Sequence, residues 1–306
     1  MKNILFALVL LSSVMANSQS TERDFRAEIS TALLIQDLDL SQPARLTRVD
    51  LSSDSDADYV SIRLEHPRAG QINLLLRGPT GFMSANHRSL RSLLLVSGFF
   101  TGKESVRLLE AIPRTVIVGY QYPYKADDFA RDPALIAQFL RQTPGQIALA
   151  LQWISGQPWA APKGLITAGV SLGGLILPTA LHMAQKMNVQ IPRTVFVCTG
   201  AHLTPILESL LRPSLGNAKA RQIAMGVANL TALHDPKLHL PYLKGSFLSI
   251  RTDRDQVIPE SSTLLLEDLL PVVTSVVLPG PHINPDQTEV IRQTRETILR
   301  WLNPAP

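Results

Sequence analysis

The sequence predicts an α/β fold built on a mainly parallel sheet, and three observations support this prediction. Short continuous apolar runs, typical of strands buried on both faces, recur from residue 93 onward. Helical patterns separate these runs, as parallel strands require. Of the 306 residues, 45% are hydrophobic and 18% are charged, so the chain can bury a full core. One domain is the simplest organisation because no internal repeat or low-complexity linker interrupts this pattern.

The N-terminal segment is typical of a secretory signal peptide. Lys2 supplies a positive charge ahead of the apolar stretch 4–14, and small-residue motifs suited to signal peptidase end at Ala16 and Ser18. The stretch is shorter than the roughly 20 apolar residues that span a bilayer. We therefore expect residues 1–18 to be removed and the protein to be exported, to the periplasm or the medium, without a stable membrane anchor.

Residues 19–58 are polar and poorly periodic, and we expect an N-terminal extension with little regular structure. The acidic loop 52–58 lacks the spaced ligands, glycine turn and terminal glutamate of a known calcium loop, so no metal site is predicted there. The main domain is predicted to span 59–306. It begins with strands over 59–65 and 71–76, which form an antiparallel edge leading into the sheet.

The remaining elements follow in order along the chain. Strands are predicted over 93–96, 115–118, 165–168, 194–197, 247–250 and 272–278. Helices are predicted over 133–154, 175–186 and 286–302. The helices of a basic α/β fold must occupy part of the stretch between the strands at 194–197 and 247–250, so only a small cap is expected there.

The motif Gly-Val-Ser-Leu-Gly-Gly, centred on Ser171, is the most specific chemical signal in the chain. A nucleophilic serine at a sharp strand-to-helix turn adopts a strained backbone conformation. Glycine is needed two positions away on each side, here Gly169 and Gly173, because a side chain would collide with the neighbouring strand or helix. An apolar strand precedes this motif and an apolar helix follows it, so Ser171 is predicted to be a nucleophile.

A serine hydroxyl needs a base within hydrogen-bond reach and a third group that orients the base. With the serine on such a turn, the expected chain order is nucleophile, acid, histidine. Two aspartates follow the strand at 247–250. Asp255, in an Asp-x-Val-Ile-Pro arrangement, is favoured as the acid, and Asp253 is the alternative. His282, in the sequence Pro-Gly-Pro-His after the last predicted strand, is the expected base.

Hydrolysis through a serine also needs two backbone N–H groups for the oxyanion. One is predicted to come from Leu172, directly after the nucleophile. The other is predicted to come from the glycine-containing loop 97–102, with Phe99 as the favoured donor and Phe100 as the second. The tyrosines within 120–124, at the end of a predicted central strand, either line a pocket or pack with a solvated hydroxyl group.

With these parts in this order, the chain resembles the α/β-hydrolases over roughly residues 59–302. The resemblance implies an eight-stranded, mostly parallel sheet flanked by helices, and a Ser-Asp-His triad. It also implies acyl-enzyme chemistry on esters, thioesters or amides, without a cofactor. One departure is Ser97-Gly98, where many members have His-Gly. This departure makes the shape of the oxyanion hole, and hence the substrate, less predictable.

The predicted function is therefore a serine hydrolase, carboxylesterase-like, that acts on a small to medium soluble acyl substrate. A peptidase or an acyltransferase on the same triad is an alternative, and a binding protein on an inactive hydrolase scaffold is an alternative of another class. The net charge of +4 comes from scattered basic residues, which excludes a dedicated nucleic-acid surface. Cys198 is the only cysteine, so no intramolecular disulfide can form, and we expect a buried small hydrophobe.

Overall fold

The computed structural model describes residues 19–54, 57–84, 89–98, 101–125, 128, 131–132, 134–230 and 232–303. Its strands are β1 Arg45–Ser53, β2 Asp58–His66, β3 Gly70–Gly78, β4 Leu90–Val96, β5 Thr115–Gln121, β6 Ala160–Val170, β7 Arg193–Val197, β8 Ser246–Arg254 and β9 Val273–Pro281. The predicted signal peptide, residues 1–18, lies outside the described residues.

The α-helices of this part of the chain are α1 Gln19–Leu38, α2 Ala134–Ser155, α3 Leu172–Lys186, α4 Leu203–Leu215, α5 Asn217–Leu230, α6 Pro236–His239, α7 Glu260–Leu269 and α8 Thr288–Leu302. Short 3₁₀ helices occur at Phe82–Ser84, Gly102–Arg107, Ala232–His234 and Leu240–Tyr242. Among the described residues, no helix is both long enough and apolar enough to cross a bilayer.

The described strands form one nine-stranded sheet in the order β1-β2-β3-β5-β4-β6-β7-β8-β9. β1, β2, β3 and β5 pair antiparallel, and the strands from β5 through β4 to β9 pair parallel. The α/β class and the mainly parallel sheet are thus confirmed. Because parallel strands end at the same edge, the loops after β4, β6, β8 and β9 open on one side of the sheet.

The N-terminal region differs from its prediction. Residues 19–58, expected to have little regular structure, contain α1 and all of β1, and β1 brings the sheet to nine strands where eight were expected. Every residue of β1 is exposed, so its sequence carries no burial pattern. The strand is held instead by its backbone ladder to β2, from Arg45 opposite Glu65 to Ser53 opposite Asp58. Hydrogen bonding of this kind leaves no signal in side-chain periodicity.

The two faces of the sheet are covered differently. On the first face, defined by Leu94 and Val96 of β4, helices α1, α2 and α3 pack on the strands to form a large core. On the second face, defined by Leu93 and Leu95 of the same strand, the covering residues come from α8 and from segment 101–112. This segment contains the six-residue 3₁₀ helix Gly102–Arg107 in place of a full α-helix between β4 and β5.

Candidate active site

Ser171 lies at the turn between β6 and α3 with φ 52° and ψ −120°. A positive φ is strained for a residue with a Cβ and persists only where the surroundings hold it. Here the Ser171 N–H donates to the carbonyl oxygen of Val197, at 2.9 Å. The Ser171 carbonyl accepts from the N–H groups of Gly174 and Leu175, at 2.9 and 3.3 Å. The strained serine is thus fixed both to β7 and to the first turn of α3.

Gly169 and Gly173 are required at their positions for steric reasons. A Cβ on Gly169 would lie 2.7 Å from the Cα of Gly174, and a Cβ on Gly173 would overlap the carbonyl oxygen of Val96. Both are approaches to backbone atoms, which cannot move aside as a flexible side chain can. The crossing of β4, β6 and α3 at this point therefore requires glycine at both positions.

Three side chains predicted to act together lie in one hydrogen-bonded chain. His282 Nε2 lies 2.9 Å from Ser171 Oγ, and His282 Nδ1 lies 2.8 Å from Asp255 Oδ2. Asp255 Oδ1 accepts from the N–H groups of Val257 and Ile258, at 2.8 and 2.9 Å. A carboxylate only accepts, so Nδ1 of the ring carries the proton and donates it to Asp255. The unprotonated Nε2 then faces the serine hydroxyl.

Asp253, the alternative acid, has a different environment. Its side chain is about half exposed, and its Oδ1 accepts from the N–H of Gly280 at 2.8 Å and from Nε of Arg254 at 3.4 Å. The hydrogen bond from Gly280 lowers the pKa of Asp253 below its usual value. Asp253 therefore joins the end of β8 to β9, while the carboxylate next to His282 is that of Asp255.

The described part of the predicted oxyanion site is the N–H of Leu172. Leu172 is the first residue of α3, so its N–H has no acceptor within the helix. The positive end of the helix dipole also favours a negative charge there. Phe99 and Phe100, the two candidates for the second donor, lie outside the described residues.

The loop after β4 is held by hydrogen bonds of Ser97. Ser97 Oγ donates to the carbonyl of Gly102 at 2.8 Å and accepts from Thr101 Oγ1 at 3.0 Å. The Tyr122 hydroxyl donates to the Ser97 carbonyl at 2.7 Å. Ser97 thus fixes the loop by hydrogen bonds to residues that follow it in the same loop. This role was not predicted from the sequence.

Of the tyrosines within 120–124, Tyr120 and Tyr122 pack in the core and do not line a pocket. Tyr120 and Tyr122 are buried, and the Tyr120 hydroxyl donates to Gln146 Oε1 at 2.6 Å. Burial raises the pKa of both phenols, so they stay neutral donors. Tyr122 acts on the site indirectly, because it supports the loop that begins at Ser97.

Cys198 is 1% exposed, as expected for a buried small hydrophobe, and burial raises the pKa of its thiol to about 11. Its position also has a feature that the sequence did not reveal. Cys198 follows β7 directly with φ 46°, and its sulfur, an Asp255 oxygen and a His282 nitrogen lie within 4.8 Å of one another. A neutral thiol therefore packs against the carboxylate–imidazole pair.

A cavity of about 510 Å³ opens beside Ser171 and His282. Its described wall consists mostly of leucine, isoleucine and valine side chains, with no phenylalanine, tyrosine or tryptophan. They come from β4, β6, β7, segment 101–112, α3, α4, the loops after β8 and β9, and α8. Because so many elements contribute, no local sequence pattern predicts this cavity. Its volume lies within the usual range of small-molecule sites.

Sequence comparison gives no relative: no protein-family profile and no curated protein sequence matches the chain. Solved structures do match. Acetyl xylan esterase 1 from Thermoanaerobacterium sp. JW/SL YS485 has a TM-score of 0.63 at 13% identity, covering 88% of this chain and 92% of that one. The acetyl xylan esterase from Paenibacillus sp. R4 has 0.63 at 16%, covering 94% and 98%. An esterase from Pyrobaculum calidifontis has 0.52 at 15%, covering 95% and 97%. At these identities the likeness concerns the fold.

Proposed function

The chain has the α/β-hydrolase fold, and we propose that it is a serine esterase that hydrolyses a carboxylic ester through an acyl-enzyme. The observation that carries the proposal is the hydrogen-bonded chain from Ser171 Oγ through His282 to Asp255. The aliphatic cavity beside it supports an ester rather than a peptide. A peptide chain buried there would lose the hydrogen bonds of its amide groups.

The mechanism proposed for these residues has two halves. In the first, His282 Nε2 takes the proton of Ser171 as Oγ attacks the carbonyl carbon, while Asp255 holds the ring in the required tautomer. The tetrahedral oxyanion is bound by the N–H of Leu172 and by a second N–H from the loop after β4, for which Phe99 is the favoured donor.

Collapse of this intermediate breaks the bond to the alcohol. His282 returns its proton to the leaving oxygen, and the acyl group remains on Ser171. In the second half, His282 takes a proton from water, the hydroxide adds to the acyl carbon, and Ser171 leaves with the proton. The products are one carboxylic acid and one alcohol, and the enzyme returns to its starting state.

A fluorophosphonate probe tests the proposal directly, because it forms an adduct with an activated serine. We expect mass spectrometry to locate one adduct on Ser171 and none on the Ser171→Ala variant. The same variant should lose about 10⁴-fold or more of the turnover of p-nitrophenyl acetate. Its melting temperature should stay close to that of the parent, since a small side chain is replaced.

Two outcomes would contradict the assignment. Absence of an adduct on folded protein would favour a binding protein on a hydrolase scaffold. Persistent turnover in Ser171→Ala would show that another residue is the nucleophile. Glycerol or a short alcohol added to the assay separates the remaining alternative, because an acyltransferase forms a new ester and a hydrolase forms the acid.

A further inference from the structure

We propose that the acyl chain of the substrate lies between the second face of the sheet and α8, and that the enzyme prefers unbranched acyl chains of about eight to twelve carbons. The inference rests on the proposed esterase function and names its substrate class. It gives a definite acyl length where the sequence predicted only a small to medium soluble acyl substrate. The argument depends on the shape of the cavity, its depth, its lining and the order of the two chemical steps.

The residues that line the cavity fall into two groups by their place in the fold. On one side, Ile206 and Leu210 of α4 contribute to its wall. The other side, here called the sheet-side lobe, is lined by Leu93, Leu95, Ile112, Ile291 and Ile298. The sheet-side lobe therefore reaches under α8 into the layer that would otherwise be core.

The sheet-side lobe exists because no full α-helix in the described chain between β4 and β5 covers the second face of the sheet. Between β4 and β5 the described chain forms the 3₁₀ helix Gly102–Arg107 and then irregular structure, where an α-helix would fill the layer. Val106 and Ile112 still pack on the sheet. Ile298 of α8 packs against the same cluster, and Ile112, Ile291 and Ile298 line the same cavity as Ser171.

The register of the sheet gives the depth of the lobe. Leu93 pairs with Ile166, five residues before Ser171, so it lies roughly 16 Å below the serine at about 3.3 Å per residue. An extended alkyl chain with C–C bonds of about 1.5 Å advances roughly 1.3 Å per carbon. A chain of about ten to twelve carbons would therefore reach the level of Leu93.

The lining suits an alkyl chain. Leu93, Leu95 and Ile112 are at most 6% exposed. The polar residues in this part of the wall include Thr294 and Arg295 of α8, and Arg295 Nη2 lies 2.7 Å from Glu110 Oε2. The charge of Arg295 is thus paired with a carboxylate. Methylene groups placed in the lobe would leave water for an aliphatic surface, which is favourable.

The order of the two chemical steps indicates that the sheet-side lobe binds the acyl group of the ester and not its alcohol. The acyl group stays on Ser171 while the alcohol leaves and water enters. A lobe closed at its floor by the sheet can hold the group that stays, but it offers no exit for the group that leaves. Leu210, which lines the cavity on the other side, is about half exposed. The alcohol and the water therefore exchange through that side.

The first test compares two series of esters. For p-nitrophenyl esters from acetate to myristate, kcat/KM should rise about two- to fourfold per added methylene, up to eight to twelve carbons, and then fall. For acetate esters of alcohols of increasing length, it should stay nearly flat. A maximum at acetate, or a dependence on the alcohol instead, would overturn the proposal. Loss of acetate turnover and of fluorophosphonate labelling together would instead overturn the esterase function.

The second test fills the lobe at two depths from the same helix. Ile291 and Ile298 are seven residues apart on α8, about 10 Å along its axis. Ile291→Trp should shift the preferred chain to about four to six carbons. Ile298→Trp should shorten the preferred chain by only about two to four carbons. The effect is smaller because Ile298 is farther from the start of α8. The readout is the ratio of decanoate to acetate kcat/KM.

Arg300→Trp is the matched control, because Arg300 lies on the exposed side of α8. It should leave the chain-length profile unchanged. Equal profiles for Ile291→Trp, Ile298→Trp and the parent would overturn the proposal. If one of the two cavity variants failed to fold, the other variant and the profile of the parent would each still decide it.

Discussion

Two histidine clusters in this molecule use the same side chain in opposite ways. His282 has a carboxylate 2.8 Å from its Nδ1 and a serine hydroxyl 2.9 Å from its Nε2. His182 has the Thr31 hydroxyl and His239 Nδ1 as neighbours of its Nδ1, at 3.0 and 3.2 Å. The nearest carboxylate to His182, that of Glu28, is 3.9 Å away. One ring is hydrogen-bonded to a carboxylate and a serine hydroxyl, and the other is hydrogen-bonded to a threonine hydroxyl and a second imidazole.

Burial separates the clusters further. His182 and His239 are 2% and 0% exposed, and burial lowers the pKa of His182 to about 4 and that of His239 to about 3. His239 Nε2 donates to the carbonyl of Leu233, and Tyr242 stacks on His182. The pair therefore joins α1, α3 and α6 as neutral rings. The comparison shows that the groups around a histidine ring, and not its presence alone, determine whether the ring can act as a base.

The largest effect should come from removing the orienting carboxylate of the His282 cluster. Asp255→Asn places an amide beside Nδ1 and favours the tautomer that cannot accept the serine proton, so kcat should fall about 10³- to 10⁴-fold. Asp253→Asn, two residues earlier at the end of β8, is the matched control and should change kcat by less than about threefold. Steady-state kinetics of both variants provide the measurement. The reverse order of the two effects would transfer the role of acid to Asp253.

How far the sequence predicts this molecule depends on how local each signal is. The buried strands from β2 onward and the turn at Ser171 were predicted because burial and glycine spacing act within a few residues. β1 was missed because all of its residues are exposed. Asp253 and Asp255 could not be separated by sequence with certainty, since their difference lies in which carboxylate faces His282.

Features that depend on contacts between distant parts of the chain left no recognisable pattern in the sequence. The cavity depends on a missing helix between β4 and β5 and on residues from many elements. The contact between His182 and His239 joins positions 57 residues apart. Pairing of this kind follows from the packing of helices on the sheet, which a single sequence does not specify.

The second effect concerns pH and stability at the His182 cluster. The folded-state pKa values of His182 and His239 lie below the unfolded value of about 6.5, so the unfolded chain binds more protons between these values. The contribution of this pair to the free energy of unfolding should therefore be fully present above about pH 7.5 and be lost as the pH falls. It should fall by roughly 2 kcal/mol or more between pH 7 and pH 5.

Urea unfolding at both pH values measures this change. His182→Phe removes one of the two titrating rings and should show a smaller loss between pH 7 and pH 5. An equal loss in the parent and in this variant would show that other groups carry the pH dependence.

The smallest effect tests the hydroxyl that joins α1 to this cluster. Thr31 is 1% exposed, and its Oγ1 lies 3.0 Å from His182 Nδ1. Thr31→Val keeps the shape of the side chain and removes the hydrogen bond, so the free energy of unfolding should fall by about 1 kcal/mol. Thr47→Val in exposed β1, whose hydroxyl donates to the Arg63 carbonyl at 3.2 Å, is the matched control. It should change stability by less than about 0.5 kcal/mol.

The activity of Thr31→Val extends the comparison to function. Because the Thr31 hydroxyl is hydrogen-bonded to His182 of the structural cluster, kcat/KM for p-nitrophenyl acetate should stay within about twofold of the parent while stability falls. A large loss of kcat/KM in folded Thr31→Val would show that the two histidine clusters are coupled through α3, which carries His182 and begins directly after Ser171. Unchanged kinetics would instead establish that the first turn of α3 holds Ser171 independently of the packing around His182.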